Sequence, residues 1–148
     1  MLNLYVDNVI ISSYNCHTAK SIQLTNIGID YENHDNNNNV INYVLSKYKM
    51  TSYDIIQINQ STIDYEKLRL KFIKPHYHTD DEIRYFTSGT AKFYIQYNHT
   101  VYEILVSQGD LISIPKNTVH WFDAGDIPDF TAIRFFSDQQ GWIAHYIE

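Results

Sequence analysis

The second half of the chain alternates short apolar segments with turn residues and has no apolar stripe of helical period. Such segments, bounded by glycine, asparagine or aspartate, are typical of antiparallel strands joined by tight turns. The predicted turns contain Ser88-Gly89, Asn98-His99, Gln108-Gly109-Asp110 and Ala124-Gly125-Asp126. The predicted strands are 83–87, 91–97, 101–107, 111–114, 119–122 and 131–136. Six strands without an intervening helix predict an antiparallel barrel or sandwich.

The first half of the chain mixes strands with helical segments. An apolar stripe of helical period over 38–49 predicts a helix that packs on the barrel, and it follows the polar loop 34–39. Gly28 is expected to close a short helical turn, and Ser61 or Thr62 is expected to cap a short segment downstream. The predicted strands of this half are 2–6, 9–12, 29–31 and 53–58.

Composition narrows the class of protein. The 148 residues match the usual size of one domain, so we predict a single domain over 1–148. A formal net charge of −6 argues against nucleic acid and anionic membranes as partners. Cys16 is the only cysteine, and no basic leader or long apolar run marks a signal peptide or a membrane span. We therefore expect a cytoplasmic monomer whose partners are small molecules.

The segment 74–86 concentrates polar chemistry in an otherwise apolar pattern. His76 and His78 are two residues apart, so on an extended backbone both rings leave the same face of the sheet. Glu82 and Arg84 continue this parity, although the polar turn between them and the histidines could reset it. His120 opens a later apolar segment and is a candidate third imidazole, as expected where a barrel assembles a metal site from separate strands.

These residues predict a metal centre with ligands His76, His78, Glu82 and His120. Neutral imidazoles with one carboxylate suit iron, nickel, cobalt or manganese, with positions left for substrate or oxygen. The alternative interpretation is structural: paired histidines are often exposed on strands, and Glu82 could simply form an ion pair with Arg84.

Two arginines and three aromatic residues accompany the candidate ligands. Arg84 shares the predicted ligand face, and Arg134 lies in a strongly apolar strand, where a guanidinium needs an anion. Either could hold an anionic substrate, or either could form a structural ion pair. Phe72, Phe122 and Trp142 are candidate walls of a binding pocket, although core packing is the alternative for each.

An ordered series of motifs from about residue 68 to residue 146 resembles the acireductone dioxygenase family of the cupin superfamily, most closely its bacterial branch. The motifs are Lys71-Phe72, His76-x-His78-x-x-x-Glu82-Ile-Arg84-Tyr-Phe86, Gly109-Asp110-Leu-Ile-Ser-Ile-Pro115, His120-Trp-Phe-Asp123, Phe130-Thr-Ala-Ile-Arg134 and Gly141-Trp-Ile-Ala144. The first half of the chain follows the family only in outline.

The resemblance implies a mainly β protein, a cupin double-stranded β-helix (jelly-roll) barrel with a few flanking N-terminal helices. It implies one Fe²⁺ or Ni²⁺ per chain, with Co²⁺ or Mn²⁺ as alternatives. The family's metal ligands fall on His76, His78, Glu82 and His120, its catalytic arginines on Arg84 and Arg134, and its substrate-binding aromatics on Phe72, Phe122 and Trp142.

The implied activity belongs to methionine salvage. The family oxidises 1,2-dihydroxy-3-keto-5-methylthiopentene with O₂, giving 2-keto-4-methylthiobutyrate and formate with iron, or methylthiopropionate, formate and carbon monoxide with nickel. Pro75 departs from the pattern, because the family usually has an acidic residue before the first ligand histidine. Two alternatives stay open: a related cupin that acts on a different enediol or β-dicarbonyl substrate, and a non-catalytic cupin that senses a metabolite.

Overall fold

A computed structural model describes residues 2–6, 9–14, 24–34, 39–98, 100–137 and 143–147. Strands dominate these residues, and the predicted mainly β character is confirmed. The strands are β1 (Leu2–Val6), β2 (Val9–Tyr14), β3 (Asp30–Asn33), β4 (Ser52–Ile58), β5 (His76–Tyr77), β6 (Glu82–Tyr97), β7 (Thr100–Ser107), β8 (Asp110–Ile114), β9 (His120–Asp123), β10 (Asp129–Phe136) and β11 (His145–Tyr146); the helices are α1 (Val40–Lys47) and α2 (Tyr65–Phe72).

The strands form two antiparallel layers that share strand β6. The first part of β6 pairs with β8 and β10, and these extend to the edge strands β3 and β4. The second part of β6 pairs with β7 and β9, and this layer continues through β1 to β2 on one side and through β5 to β11 on the other. Two layers joined by a shared bent strand form a jelly-roll barrel.

Strand β6 passes between the layers at Gly89, where the sequence predicted a turn. That prediction was wrong: β6 runs through Ser88-Gly89 without interruption. Gly89 has a positive φ of 76° and lies opposite Phe130 of β10, next to a register shift in the β10–β6 pairing. Glycine adopts this conformation without the steric cost that a side chain would add. The bend therefore sets the two parts of β6 on opposite walls of the barrel.

The main core fills the space between the two layers. Its side chains are almost wholly inaccessible to solvent and are mostly aromatic or β-branched, as expected for strands buried on one face. Its members include the fully buried side chains of Phe86, Phe93, Ile95, Ile104, Ile112 and Phe130. This core occupies most of the barrel and leaves polar side chains at one end.

A second, smaller core lies outside the barrel beneath α1. Val40 and Val44 of the helix pack against the outer face of the layer that contains β10, where Ile83 and Phe135 are buried. The structure thus has the predicted helix against the barrel, two residues shorter at each end than the pattern suggested. Among the described residues, no helix combines the length and apolarity needed to span a bilayer.

The start of α2 differs from the prediction. The residue before the helix is Asp64, in a left-handed conformation (φ 58°) and without a side-chain capping bond. The expected caps act elsewhere, since Thr62 Oγ1 accepts the backbone N–H of Asn59 at 2.9 Å and the N–H of Ser61 donates to the Asn59 side chain. These residues form a local turn ahead of the helix, and α2 itself is tied to β9 by Arg69 and Asp123.

The Gly89 bend generates a stability prediction. A Cβ at position 89 would overlap the Asp129 carbonyl and lie 2.6 Å from the Phe130 Cα, so Gly89→Ala should lower the free energy of unfolding by at least about 3 kcal/mol. Gly125→Ala is the matched control, because Gly125 also has a positive φ but has open space around its Cβ position. It should lose only about 1–2 kcal/mol, the cost of the left-handed backbone. Equal losses in urea unfolding of the two variants would contradict the close packing at Gly89.

Candidate metal centre

Three histidines meet at the polar end of the barrel. His76 and His120 are paired residues of β5 and β9, and His78 follows directly after β5. The His76 and His120 ring centroids are 4.6 Å apart, and those of His78 and His120 are 5.4 Å apart. One ring nitrogen from each residue lies within 4.8 Å of the others. His76 and His78, which the sequence placed on one face of a strand, therefore lie side by side, and His120 is the third ring of the group.

Glu82 joins the three imidazoles from the first residue of β6. Its Oε2 lies 2.5 Å from His120 Nε2 and 3.6 Å from His78 Nε2. The turn at 79–81 separates it from β5, yet the carboxylate returns to the same side. The bend in β6 explains how, because His120 pairs with Ile95 in the second part of the strand and Glu82 reaches it from the first part.

Backbone carbonyls fix the orientation of every ring in the cluster. The Nδ1–H groups of His76, His78 and His120 donate to the carbonyls of Lys74 (2.7 Å), Ile143 (3.1 Å) and Thr118 (2.8 Å), respectively. Because a carbonyl only accepts, each Nδ1 must carry the proton. A neutral ring in that tautomer presents the lone pair of Nε2, and this is the arrangement found around metal-ligating histidines.

The electrostatics of the cluster suit a cation. Burial lowers the pKa of His76 to about 4 and also lowers the pKa of His78, so both rings are neutral at pH 7. Burial alone would raise the pKa of Glu82, but the positive charges of Arg84 and His120 hold it well below 4.5. Burial opposes a charge on His120, yet the Glu82 carboxylate outweighs it and raises the His120 pKa. A proton and a cation therefore compete for His120.

Three buried polar atoms at the centre lack a hydrogen-bond partner within the described structure. They are Glu82 Oε2, His120 Nε2 and Arg84 Nε. The first two lie in contact but without hydrogen-bond geometry. Buried atoms of this kind are costly unless a ligand or ion completes them. A metal ion could satisfy both Glu82 Oε2 and His120 Nε2, since each is an electron-pair donor. Both residues are among the metal ligands predicted from the sequence.

Arg84 lies beside the cluster, and the Nε–H of its guanidinium has no hydrogen-bond partner in the described structure. Its Nη2 donates to Glu82 Oε1 at 2.5 Å, and its Cζ lies 5.7 Å from the centre of the Phe122 ring. The sequence left open whether Arg84 forms an ion pair or holds an anion. The structure shows the ion pair and also an unpartnered Nε–H, so the side chain can do both.

Arg134 has a different environment. It lies opposite Arg84 in the β10–β6 register but forms a two-pronged ion pair with Asp54 of β4, at 2.8 and 2.6 Å. The structure thus matches the ion-pair alternative and does not bring this guanidinium into the histidine cluster. Arg134 nonetheless lines a small cavity of about 50 Å³ together with His78, Glu82 and Arg84.

Two of the three aromatics predicted as pocket walls lie side by side. Phe122 is buried, and its ring packs edge-on against Phe72 at 5.8 Å, at the end of α2. Phe122 also contacts Phe93 and Phe130 of the core, so it bridges the core and the polar end of the barrel. Trp142 falls outside the described residues.

Sequence reasoning missed the groups that orient the three histidine rings. The carbonyls of Lys74, Thr118 and Ile143 carry no side-chain signal, so no motif could reveal them. Tyr146 was also missed; its ring lies 5.8 Å from that of His76. Asp81 lines the cavity, and its Oδ1 accepts the Lys116 N–H at 2.9 Å, which fixes the turn before Glu82.

Comparison with known proteins gives consistent matches. A model of the ARD/ARD' family matches residues 8–144. The acireductone dioxygenase of Aquifex aeolicus is 44% identical over 106 residues, which are 72% of this chain and 58% of that protein. The acireductone dioxygenase of Gluconobacter oxydans is 47% identical over 95 residues, which are 64% of this chain and 50% of that protein. The chain spans between half and three-fifths of the length of these relatives.

A solved structure matches almost the entire chain. It is an acireductone dioxygenase from Bacillus anthracis that holds a cadmium ion in its active centre, with a TM-score of 0.87 and 27% identity. The match covers 99% of this chain and 98% of that one. It confirms the predicted cupin jelly-roll barrel.

The geometry predicts that a divalent ion stabilises the fold. Adding Ni²⁺ or Co²⁺ to chelator-treated protein, at about 100 times the dissociation constant, should raise the free energy of unfolding by about 2.7 kcal/mol. His120→Ala should abolish this gain because it removes one of the converging nitrogens. His34→Ala is the control, since the His34 ring contacts Glu32 away from the cluster and the gain should persist. Thermal unfolding with and without metal measures both, and an undiminished gain in His120→Ala would contradict the assignment.

Proposed function

This chain belongs to the ARD/ARD' family, and from that membership we propose that it is an acireductone dioxygenase with one divalent metal per chain. The reaction would be the oxidative cleavage of 1,2-dihydroxy-3-keto-5-methylthiopentene by O₂ in methionine salvage. We propose His76, His78, Glu82 and His120 as the metal ligands. The protein would act as a cytoplasmic, single-domain monomer whose partners are this small substrate and O₂.

One observation carries the proposal. Three imidazoles are fixed in the tautomer that presents Nε2, and these nitrogens converge beside the unsatisfied carboxylate oxygen of Glu82. In a purely structural cluster these atoms would be expected to have protein hydrogen-bond partners, whereas Glu82 Oε2 and His120 Nε2 have none within the described structure. Once a cation displaces the proton that Glu82 favours on His120, three neutral nitrogens and one carboxylate match the ligand chemistry of Fe²⁺ and Ni²⁺.

The metal would supply a Lewis-acidic centre that binds the oxygens of an enediolate. Arg84 would bind the substrate anion through its unused Nε–H while it keeps Glu82 oriented through Nη2. Phe122 and Phe72 would exclude water on the apolar side, where the lower dielectric would strengthen the attraction between Arg84 and the substrate anion. The ion pair with Asp54 would make Arg134 an outer support for the β10 wall.

The choice of metal would set the products. With iron, the proposed products are 2-keto-4-methylthiobutyrate and formate; with nickel, they are methylthiopropionate, formate and carbon monoxide. Iron and nickel would use one ligand set, so metal supply and fine geometry decide between them.

Pro75 supports a second candidate function. At the position before His76, where the family usually has an acid, the chain has an exposed proline whose carbonyl accepts the Ile147 N–H at 3.1 Å. Without a carboxylate at this position, the surroundings of His76 differ in charge from the family pattern. The candidate is a cupin of the same family that acts on a different enediol or β-dicarbonyl substrate.

Oxygen uptake tests the activity directly. Protein loaded with iron or nickel should consume O₂ when the acireductone is added, because an enediolate is electron-rich, and the nickel form should release carbon monoxide. His76→Ala should lose both uptake and bound metal. Metal-loaded protein that consumes no O₂ with the acireductone would refute the main proposal. Uptake with another enediol would then support the second candidate, and binding without any turnover would support a sensing role.

Substitution of the two arginines separates their roles. Arg84→Gln should lower kcat/KM by about 100-fold or more even at saturating metal, because it removes a charged donor beside the reacting anion, and it should also weaken metal binding because Glu82 loses its Nη2 partner. Arg134→Gln should lower thermal stability and cause a smaller loss of kcat/KM, because its main partner is Asp54. Steady-state kinetics with metal analysis measures both variants. A larger catalytic loss in Arg134→Gln would reverse the assignment.

A further inference from the structure

The three rings of the metal centre are not oriented in the same way. His76 donates to the carbonyl of Lys74 and His120 to that of Thr118, in each case two residues upstream. His78 instead donates to the carbonyl of Ile143, 65 residues away. Two ligands are thus held by their own local backbone, and the third depends on a distant part of the chain.

That distant part is the C-terminal segment, defined here as 143–147. Within it, β11 pairs with β5, with His145 opposite Tyr77 and Tyr146 opposite His76. The rings of Tyr77 and His145 stack at 5.0 Å, and the N–H of Ile147 donates to the Pro75 carbonyl at 3.1 Å. The segment therefore lies along the whole of β5, the strand that leads to His78.

Within the part of the chain that the structure describes, few other contacts hold β5. The strand has two residues and a single residue pair with β9, His76 with His120. Beyond it, the His78 carbonyl accepts the Asn117 N–H at 2.8 Å. Without the C-terminal segment, the His78 ring would keep no fixed acceptor for Nδ1–H among these contacts, and Tyr146 would no longer cover His76.

We propose that the C-terminal segment is a positioning element of the metal centre: the Ile143 carbonyl sets the tautomer and direction of the His78 ring, and β11 holds β5 in place. The inference rests on the proposed metal ligands and adds a group outside the ligand set. Binding of a metal and docking of the segment are then coupled, and by linkage each strengthens the other.

The test compares chains of different length loaded with Co²⁺. One variant ends at residue 142 and lacks the segment; the matched control ends at residue 147 and keeps all of it. Metal affinity is measured by competition with a chromophoric chelator. Proton NMR of the Co²⁺ form then follows the exchangeable Nδ1–H signal of each bound imidazole, which the paramagnetic ion shifts out of the main spectrum.

The full chain and the control should show three such signals. In the variant that ends at 142, affinity should fall by about 10- to 100-fold, the usual effect of losing a group that orients a ligand. One Nδ1–H signal should exchange rapidly with solvent while two persist, because His76 and His120 keep their local carbonyls. Unchanged affinity and three protected signals would refute the inference, as would loss of all three together, which indicates general collapse of the site.

A second variant covers the case in which the shorter chain does not fold. Ile147→Pro removes the N–H that donates to Pro75 and restricts the backbone at 146–147, but it keeps the full length of the segment and all of its other side chains. It should weaken metal binding and speed exchange of the His78 signal, and an affinity equal to that of the full chain would count against the coupling.

If the full chain itself binds no divalent metal, the proposed function fails and the inference fails with it. Normal binding by the full chain and by all variants overturns the inference alone.

Discussion

The convergence of three imidazole nitrogens on one buried carboxylate is the constraint on which the structure of the polar end depends. Nitrogen lone pairs and an anionic oxygen repel one another, and burial strengthens that repulsion. The protein nevertheless fixes each ring with a backbone carbonyl bound to Nδ1, so no ring is held in the reverse tautomer. Such an arrangement is stable when a cation completes it. The pKa directions of His76, His78 and Glu82 favour that ionisation state, whereas Glu82 raises the pKa of His120, so the cation must displace a proton there.

The barrel makes this convergence possible through one bent strand. Glu82 opens β6, and His120 pairs with Ile95 near the other end of the same strand. In a straight strand, residues 82 and 95 would lie about 43 Å apart at the usual rise of about 3.3 Å per residue. The bend at Gly89 places the two parts on opposite walls, where the carboxylate meets the imidazole. The bend at Gly89 therefore brings Glu82 and His120 to the same end of the barrel.

The sequence predicted those features of the fold and site that depend on the local periodicity of side chains. The spacing of His76 and His78, the order of the strands and the helix beneath the β10 layer all follow from side-chain patterns. Ser88-Gly89 was misjudged because the same two residues suit a tight turn and a bend within a strand, and pairing with β10 decides between them. The Asp54 partner of Arg134 lies 80 residues away on another strand, and the carbonyl partners of the histidines are backbone atoms. Neither the Asp54 partner nor the carbonyl partners can be predicted from the local sequence.

X-ray absorption spectroscopy of the nickel-loaded protein tests the central claim most directly, because it reports the atoms around the ion. Nickel in the proposed site should show the multiple scattering of three imidazole rings together with oxygen ligands, and this three-imidazole signal should be lost in His120→Ala. A nickel environment without imidazole scattering, or one that is unchanged in His120→Ala, would contradict the assignment.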